Sequence, residues 1–178
     1  MLLADTYLVL DVPEPFASAV ISLRQQFQDP FRAKLPAEVT IIGSSGVGAI
    51  APEQPIDHLL DTVRQVARVT APIPAHFAAA HRFPSSDVFV FPVQHQGALS
   101  ALHAQLAGAG LHTRLSQWPF FPHCTLRSKS PIDDATAHDL LRQELPGAFV
   151  LESLSVYTTQ GLPELKLVER VRLAGSPP

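Results

Sequence analysis

Two short stretches of the chain, "PAEVTI" at 36–41 and "FPHCTL" at 121–126, share one pattern: an ionisable side chain two places before a threonine in an apolar run. In an extended strand residues i and i+2 face the same way. Glu38 with Thr40, and His123 with Thr125, therefore each put a proton-handling group and a hydroxyl on one face, while Val39, Ile41, Cys124 and Leu126 turn to the other. Glu38 and His123 are 85 residues apart, about half the chain, and similar elements surround each. The order strand, helix, motif strand, helix, strand runs through once and then nearly repeats. A repeat this long and faint does not describe a solenoid. It predicts two similar lobes sharing one sheet system.

Local signals fill in that order. Residues 7–12 are rich in Leu and Val and end at Pro13, which suits a strand covered on both faces. Pro15 can open a helix, and Phe16, Val20, Leu23 and Phe27 recur at helical spacing up to Pro30. A short basic loop with Arg32 and Lys34 leads into the first motif strand, closed by Gly43 and the loose "SSGVGAIAPEQP". A second helix carries Ile56, Leu59, Leu60, Val63, Val66 and Ala67. Strands at 73–83 and 88–93 flank the turn "PSSD", and a third helical face holds Leu99, Leu102, Leu106 and Ala109. After the second motif strand, a helix is expected from Asp133, as its cap, to Leu145. Two strands close the chain, "AFVLESLSVYTT" and "ELKLVERVRL"; simple alternation in the last puts Leu165, Leu167, Val171 and Leu173 opposite Lys166, Arg170 and Arg172. One domain over 1–174 is expected, with 175–178 a disordered tail.

Composition narrows the partners. A chain of 178 residues, 46% hydrophobic and 16% charged, can bury roughly 70% of its unfolded surface in a single core. A lone cysteine, Cys124, makes no intramolecular disulfide, which fits a reducing compartment. Asp5 and Asp11 interrupt the apolar start, no basic stretch precedes it, and no run reaches the roughly 18 apolar residues of a membrane span. A cytoplasmic monomer without membrane contact is expected. The net charge of -3 argues against tracking a long nucleic-acid backbone, so a nucleotide partner should be small or a strand end.

Chemistry gives a reason for the two motifs to converge. Hydrolysis of a cyclic phosphate needs a base to take a proton from water, an acid to protonate the departing ribose oxygen, and donors for the non-bridging oxygens. Base and acid must stand on opposite sides of phosphorus, and a pseudo-two-fold arrangement supplies that.

These residues resemble the two-histidine (2H) phosphoesterases, the LigT-like or 2'-5' RNA ligase family, whose His-x-Thr/Ser motifs lie about half a chain apart on one strand of each lobe. The resemblance runs from "TYLVLDVPEPFASAVISLRQQF" through "FPHCTLR" to the closing strands. His123 and Thr125 match the second motif; in the first, Thr40 is kept but Glu38 stands where the family has histidine. The resemblance implies an α+β fold of two pseudo-symmetric lobes of antiparallel strands, with helices packed outside and a central cleft. It also implies a metal-independent cyclic phosphodiesterase without a cofactor, acting on a small nucleotide or an RNA terminus with a 2',3'-cyclic phosphate. Glu38 is then expected as base and His123 as acid, with Thr40, Thr125 and Arg127 holding phosphate. A carboxylate near phosphate repels it unless protonated or paired, with Arg127 or Lys129 as candidate partners. The competing reading is a degraded module that binds a nucleotide or a protein in the same cleft.

Other features carry less. Phe83, Trp118, Phe120 and Tyr157 are candidates to stack a base. "GSSGVG" at 43–48 lacks the lysine of a P-loop and reads as a flexible rim. His76 and His81 fall on opposite faces of a strand, the remaining histidines lack ligand spacing, and no metal site is expected. Cys124 and His123, adjacent in a strand, point apart and make no nucleophile pair.

Overall fold

Strand β1 (Asp5–Asp11) lies at the centre of the first lobe because Leu8, Val9 and Leu10 are all apolar and can be covered on both faces. A computed structural model describes residues 4–94, 96–128 and 131–176. The chain continues through α1 (Phe16–Gln26), a single 3-10 turn (Arg32–Lys34), β2 (Glu38–Ile42), α2 (Ile56–Val69), β3 (Ile73–His76), β4 (His81–Arg82), β5 (Phe89–Pro92) and α3 (Gly97–Ala107). Strand β6 (His123–Arg127), α4 (Asp134–Leu141), β7 (Ala148–Leu151), β8 (Ser153–Gly161) and β9 (Glu164–Arg172) complete it.

The strands form two antiparallel systems. The first has the order β2-β1-β8-β9. In the second, β4-β5-β6 and β3-β7 pair separately, and the Phe77↔Val93 bridge joins them. Backbone bonds from Gln94 N–H to the His76 carbonyl (3.0 Å) and from Ala78 N–H to the Pro92 carbonyl (2.8 Å) lay the β3–β4 stretch along β5. The resulting order, β6, β5, β3 with β4, β7, mirrors that of the first lobe. A motif strand forms the inner edge of each system, and β2 packs against β6. The helices cross over: α1 follows β1 yet supports β6, and α3 follows β5 yet supports β2. Neither motif strand is therefore braced by its own lobe alone.

Four expectations change. The stretch 73–83 is interrupted between β3 and β4. The last helix ends at Leu141, with Arg142 as its cap; Pro146 disfavours helical backbone at Leu145, so the helix cannot run as far as expected. Its start is as expected, with Asp133 Oδ1 accepting from Thr136 N–H at 2.9 Å. "AFVLESLSVYTT" is two strands in different sheets, divided at Glu152, since β7 pairs with β3 while β8 pairs with β1. In β9 a register shift opposite Val156 and Tyr157 adds one residue, Val168, and reverses the alternation beyond it. Leu165 and Leu167 consequently share the face of Arg170, while Val168 and Val171 pack on the core. At the C-terminal end, Gly175 N–H donates to the Thr70 carbonyl at 2.9 Å; residues 177–178 lie outside the described residues.

One core spans both lobes, with Leu8, Leu10, Val39 and Ile41 from the first and Phe89, Phe91, Cys124 and Leu126 from the second fully or almost fully buried. Among the described residues no helix is long and apolar enough to cross a membrane.

Candidate active site

The groove between the lobes opens into a cavity of about 640 Å³, lined by Glu38 and Thr40 on one side and His123 and Thr125 on the other. Strand alternation brings all four there, as the spacing predicts.

Each motif half is tuned by its neighbours. Thr40 Oγ1 donates to Glu38 Oε2 at 2.8 Å. Burial pushes the Glu38 carboxyl above the usual carboxylate range, against the opposing influence of that hydroxyl and of Arg32 and Arg24. His123 packs edge-on to Phe83 (ring centroids 5.2 Å) and near Phe121 (5.8 Å). Its Nδ1 lies 2.6 Å from the Phe121 carbonyl oxygen, which can only accept, so Nδ1 carries the hydrogen and neutral His123 has its lone pair on Nε2. Burial lowers the His123 pKa, the backbone bond opposes this, and the Arg32 charge adds to the lowering. Thr125 Oγ1 has no hydrogen-bond partner among the described residues.

Arg24, on the buried side of α1, fixes the two halves relative to each other. The residue is 1% exposed. Nε and Nη2 donate to the Thr125 carbonyl (3.0 and 2.8 Å) in β6, and Nη1 donates to the carbonyls of Arg32 (3.1 Å), Leu35 (2.8 Å) and Pro36 (3.1 Å) ahead of β2. Five carbonyl bonds make burial of this charge tolerable without a carboxylate. Arg24 sits one turn beyond Val20 on the inward face of α1, and no motif in the sequence marks it.

Arg127 does not join the cavity. A register shift between Phe89 and Val90 leaves Leu126 as an extra residue in β6, so the alternation that sets His123 and Thr125 together breaks before Arg127. Its Nε donates to the Phe27 carbonyl (3.1 Å) and its Nη2 to that of Pro131 (3.0 Å). Lys129, the other expected partner of Glu38, lies outside the described residues. Among the described lining residues the lysine or arginine at the cavity wall is Arg32, which the sequence presents only as part of a loop.

Of the candidate stacking residues, Phe83, Trp118 and Tyr157 line the cavity. Phe120 does not: it stacks on His103 at 4.0 Å, and His103 Nδ1 donates to the Ile41 carbonyl (2.7 Å), anchoring α3 to β2. The "GSSGVG" loop contributes Ser44 and Ser45 to the lining. Four of its six amides are unavailable to a phosphate, because those of Gly43, Gly46, Val47 and Gly48 already bond to the carbonyls of Val47, Trp118, Ser45 and Arg114. At Gly43 a Cβ would collide with the ring of Tyr7, which forms part of the cavity wall. Burial pushes the Cys124 thiol up to about 11, so it offers no thiolate. Among the described residues no group of three or more His, Cys, Asp or Glu is placed to hold a metal ion.

The family described as the 2'-5' RNA ligase superfamily matches residues 12–162. No curated protein matches the chain. Among solved structures, TT0787 of Thermus thermophilus is similar at 21% identity, with a TM-score of 0.69 over 96% of this chain and 98% of that one. Escherichia coli LigT complexed with 3'-AMP is similar at 16% identity and a TM-score of 0.61 over 96% and 98%. LigT complexed with phosphate gives 14% and 0.58 over 95% and 96%.

Proposed function

The chain belongs to the 2'-5' RNA ligase superfamily, and from that premise we propose that it hydrolyses a 2',3'-cyclic phosphate on a small nucleotide or an RNA end, with His123 and Glu38 as its acid–base pair. The observation that carries this reading is the meeting of both motif pairs, one from each lobe, in a single cavity. Its volume suits a nucleotide, and the Phe83, Trp118 and Tyr157 rings offer faces for a base. The small nucleotide in the LigT complex with 3'-AMP supports the same ligand class.

The surroundings of the two groups favour roles opposite to those expected from sequence. Burial disfavours charge on both, holding His123 neutral and Glu38 protonated over more of the pH range. His123 Nε2 takes a proton as the water oxygen bonds to phosphorus. The phosphorus bond to the ribose oxygen breaks, and that oxygen receives the Glu38 proton. A neutral carboxylic acid also avoids repelling the phosphate. Thr40, already bonded to Glu38 Oε2, holds the carboxyl so that Oε1 can carry the proton, while the Thr125 hydroxyl donates to a non-bridging oxygen. After turnover both groups exchange protons with solvent.

Leaving-group chemistry tests this division of labour. With a 2',3'-cyclic nucleotide, His123→Ala and Glu38→Gln should each lower kcat about 10²- to 10⁴-fold. With an aryl phosphodiester whose leaving group needs no proton, Glu38→Gln should keep most of the native rate and His123→Ala should not. The reverse pattern would restore Glu38 as base.

A second reading, a binding module, is favoured by one observation: Thr40 directs its hydrogen to Glu38 instead of leaving it for a ligand. Tight binding of nucleoside monophosphate by a native chain that turns over no cyclic phosphate would establish it.

A further inference from the structure

Arg24 is fully buried and Arg32 half-buried, and their surroundings differ. Arg24 is saturated by carbonyls. Arg32 donates from Nε to Ser128 Oγ at 2.8 Å, and its two terminal nitrogens make no hydrogen bond or ion pair with any described residue. The side chain is nevertheless held in place. Asp29, 2% exposed, accepts the Arg32 N–H at Oδ1 (2.8 Å) and the Ser128 N–H at Oδ2 (2.9 Å), closing a ring that joins the 3-10 turn to the end of β6. The guanidinium thus faces a largely apolar cavity with two unused donors, and its charge reaches both Glu38 and His123. The guanidinium lies 6.0 Å from the Phe31 ring centroid, and its partial burial leaves the two donors short of acceptors that a ligand can supply. A phosphoryl group presents two oxygens in the geometry a guanidinium matches.

Resting on the reading of this cavity as a phosphoester site, we propose that Arg32 is the cation that grips the phosphoryl group and that, standing alone, it limits ligands to those with a single phosphate. Among the described lining residues Arg32 is the only lysine or arginine. A second phosphate would lie against Leu35, Phe83, Phe121 or Leu165, or beside Glu38, with no further lysine or arginine among the described lining residues to offset it. Nucleoside triphosphates and internal stretches of RNA are disfavoured on that account. Ser128 and Asp29 are positioning residues that set the direction of the fork.

Calorimetric titration of the full chain with a nucleoside, its 3'-monophosphate and its triphosphate tests the proposal without reference to turnover. Arg32→Gln should weaken monophosphate binding about 10- to 100-fold, as loss of a charge-assisted pair implies, and should leave the unphosphorylated nucleoside unchanged. Arg32→Lys should recover part of the loss, and Ser128→Ala should give a smaller one. Equal weakening of nucleoside and monophosphate would make Arg32 merely structural and overturn the proposal. Unchanged monophosphate binding would also overturn it, and a triphosphate bound as tightly as the monophosphate would overturn the single-phosphate limit. Arg32-dependent binding by a chain that hydrolyses nothing would refute the hydrolase reading alone; Arg32-independent binding by an active chain would refute this one alone.

Discussion

The half of the cavity built on β2 and the half built on β6 come from equivalent strands, each at the inner edge of its sheet and each braced by a helix of the other lobe. Their polar groups are nevertheless wired differently. On β2 the threonine hydroxyl is bonded to the carboxyl beside it, so Thr40 and Glu38 act as one unit. On β6 the histidine turns to a backbone carbonyl and the Thr125 hydroxyl stays unpartnered among the described residues. Burial acts on both halves in the same sense, towards the uncharged form, but that form carries the proton in one case and lacks it in the other. Symmetric backbone can thus support a directional reaction, because the side chains at matching positions differ in what they do when neutral.

The most damaging way to break this comparison is to loosen the joint that holds the halves together. Arg24→Met leaves carbonyls of Thr125, Arg32, Leu35 and Pro36 without their buried donor. Its expected cost is about 3 kcal/mol or more in unfolding free energy, read by urea denaturation. Both halves should suffer together, with the activity per folded molecule falling as well.

A milder pair of changes separates the threonines. Thr125→Val should lower kcat/KM about 10-fold, the loss of one donor to a charged group, with no displacement of the pH profile. Thr40→Val removes the bond that stabilises the Glu38 carboxylate. The Glu38 pKa then rises further, so the alkaline limb of kcat/KM should move to higher pH. Equal pH profiles for the two variants would dissolve the distinction drawn between the halves.

The smallest expected effect is on stability. With its folded pKa raised, Glu38 favours the folded state below its ordinary range and loses that contribution as pH rises through the folded value. His123 has the opposite sign: its folded pKa is lowered, so its contribution is present above about 6.5 and lost as pH falls through the folded value. Glu38→Gln should therefore raise the thermal midpoint at pH 7 by about 2 to 4 °C, the shift for about 1 kcal/mol in a chain of this size. At pH 4 the gain should disappear. A scanning calorimetry series over that range checks both signs.

Much of this is legible in the sequence, and the rest is hidden for identifiable reasons. Period-two spacing suffices to put Glu38, Thr40, His123 and Thr125 on shared faces, because each run is short and the four side chains lie on the same side of any irregularity. Arg127 and the outer half of β9 lie beyond a bulge, and one added residue reverses facing without any local signal in "TLRS" or "LKLVER". The division at Glu152 leaves no mark because "LESL" has no glycine or proline to signal a change of sheet. Arg32 reads as an exposed loop cation, since the partner that fixes its guanidinium, Ser128, is 96 residues away and only the folded chain brings it near. Arg24 gives no positive signal, because a charge on the inner face of a helix looks like a flaw until its carbonyl partners are known.

The change of sheet at Glu152 also bears on synthesis. Strand β8 lies beside β1, so the earliest strand of the first sheet waits for one made nearly a whole chain later. A nascent chain that stops at Leu151, the end of β7, holds both motif strands but neither β8 nor β9, and its β1 is unpaired along one edge. Maturation of the groove is on this account a late event, and any truncation that spares Glu38 and His123 but removes β8 and β9 should yield a chain that chaperones retain.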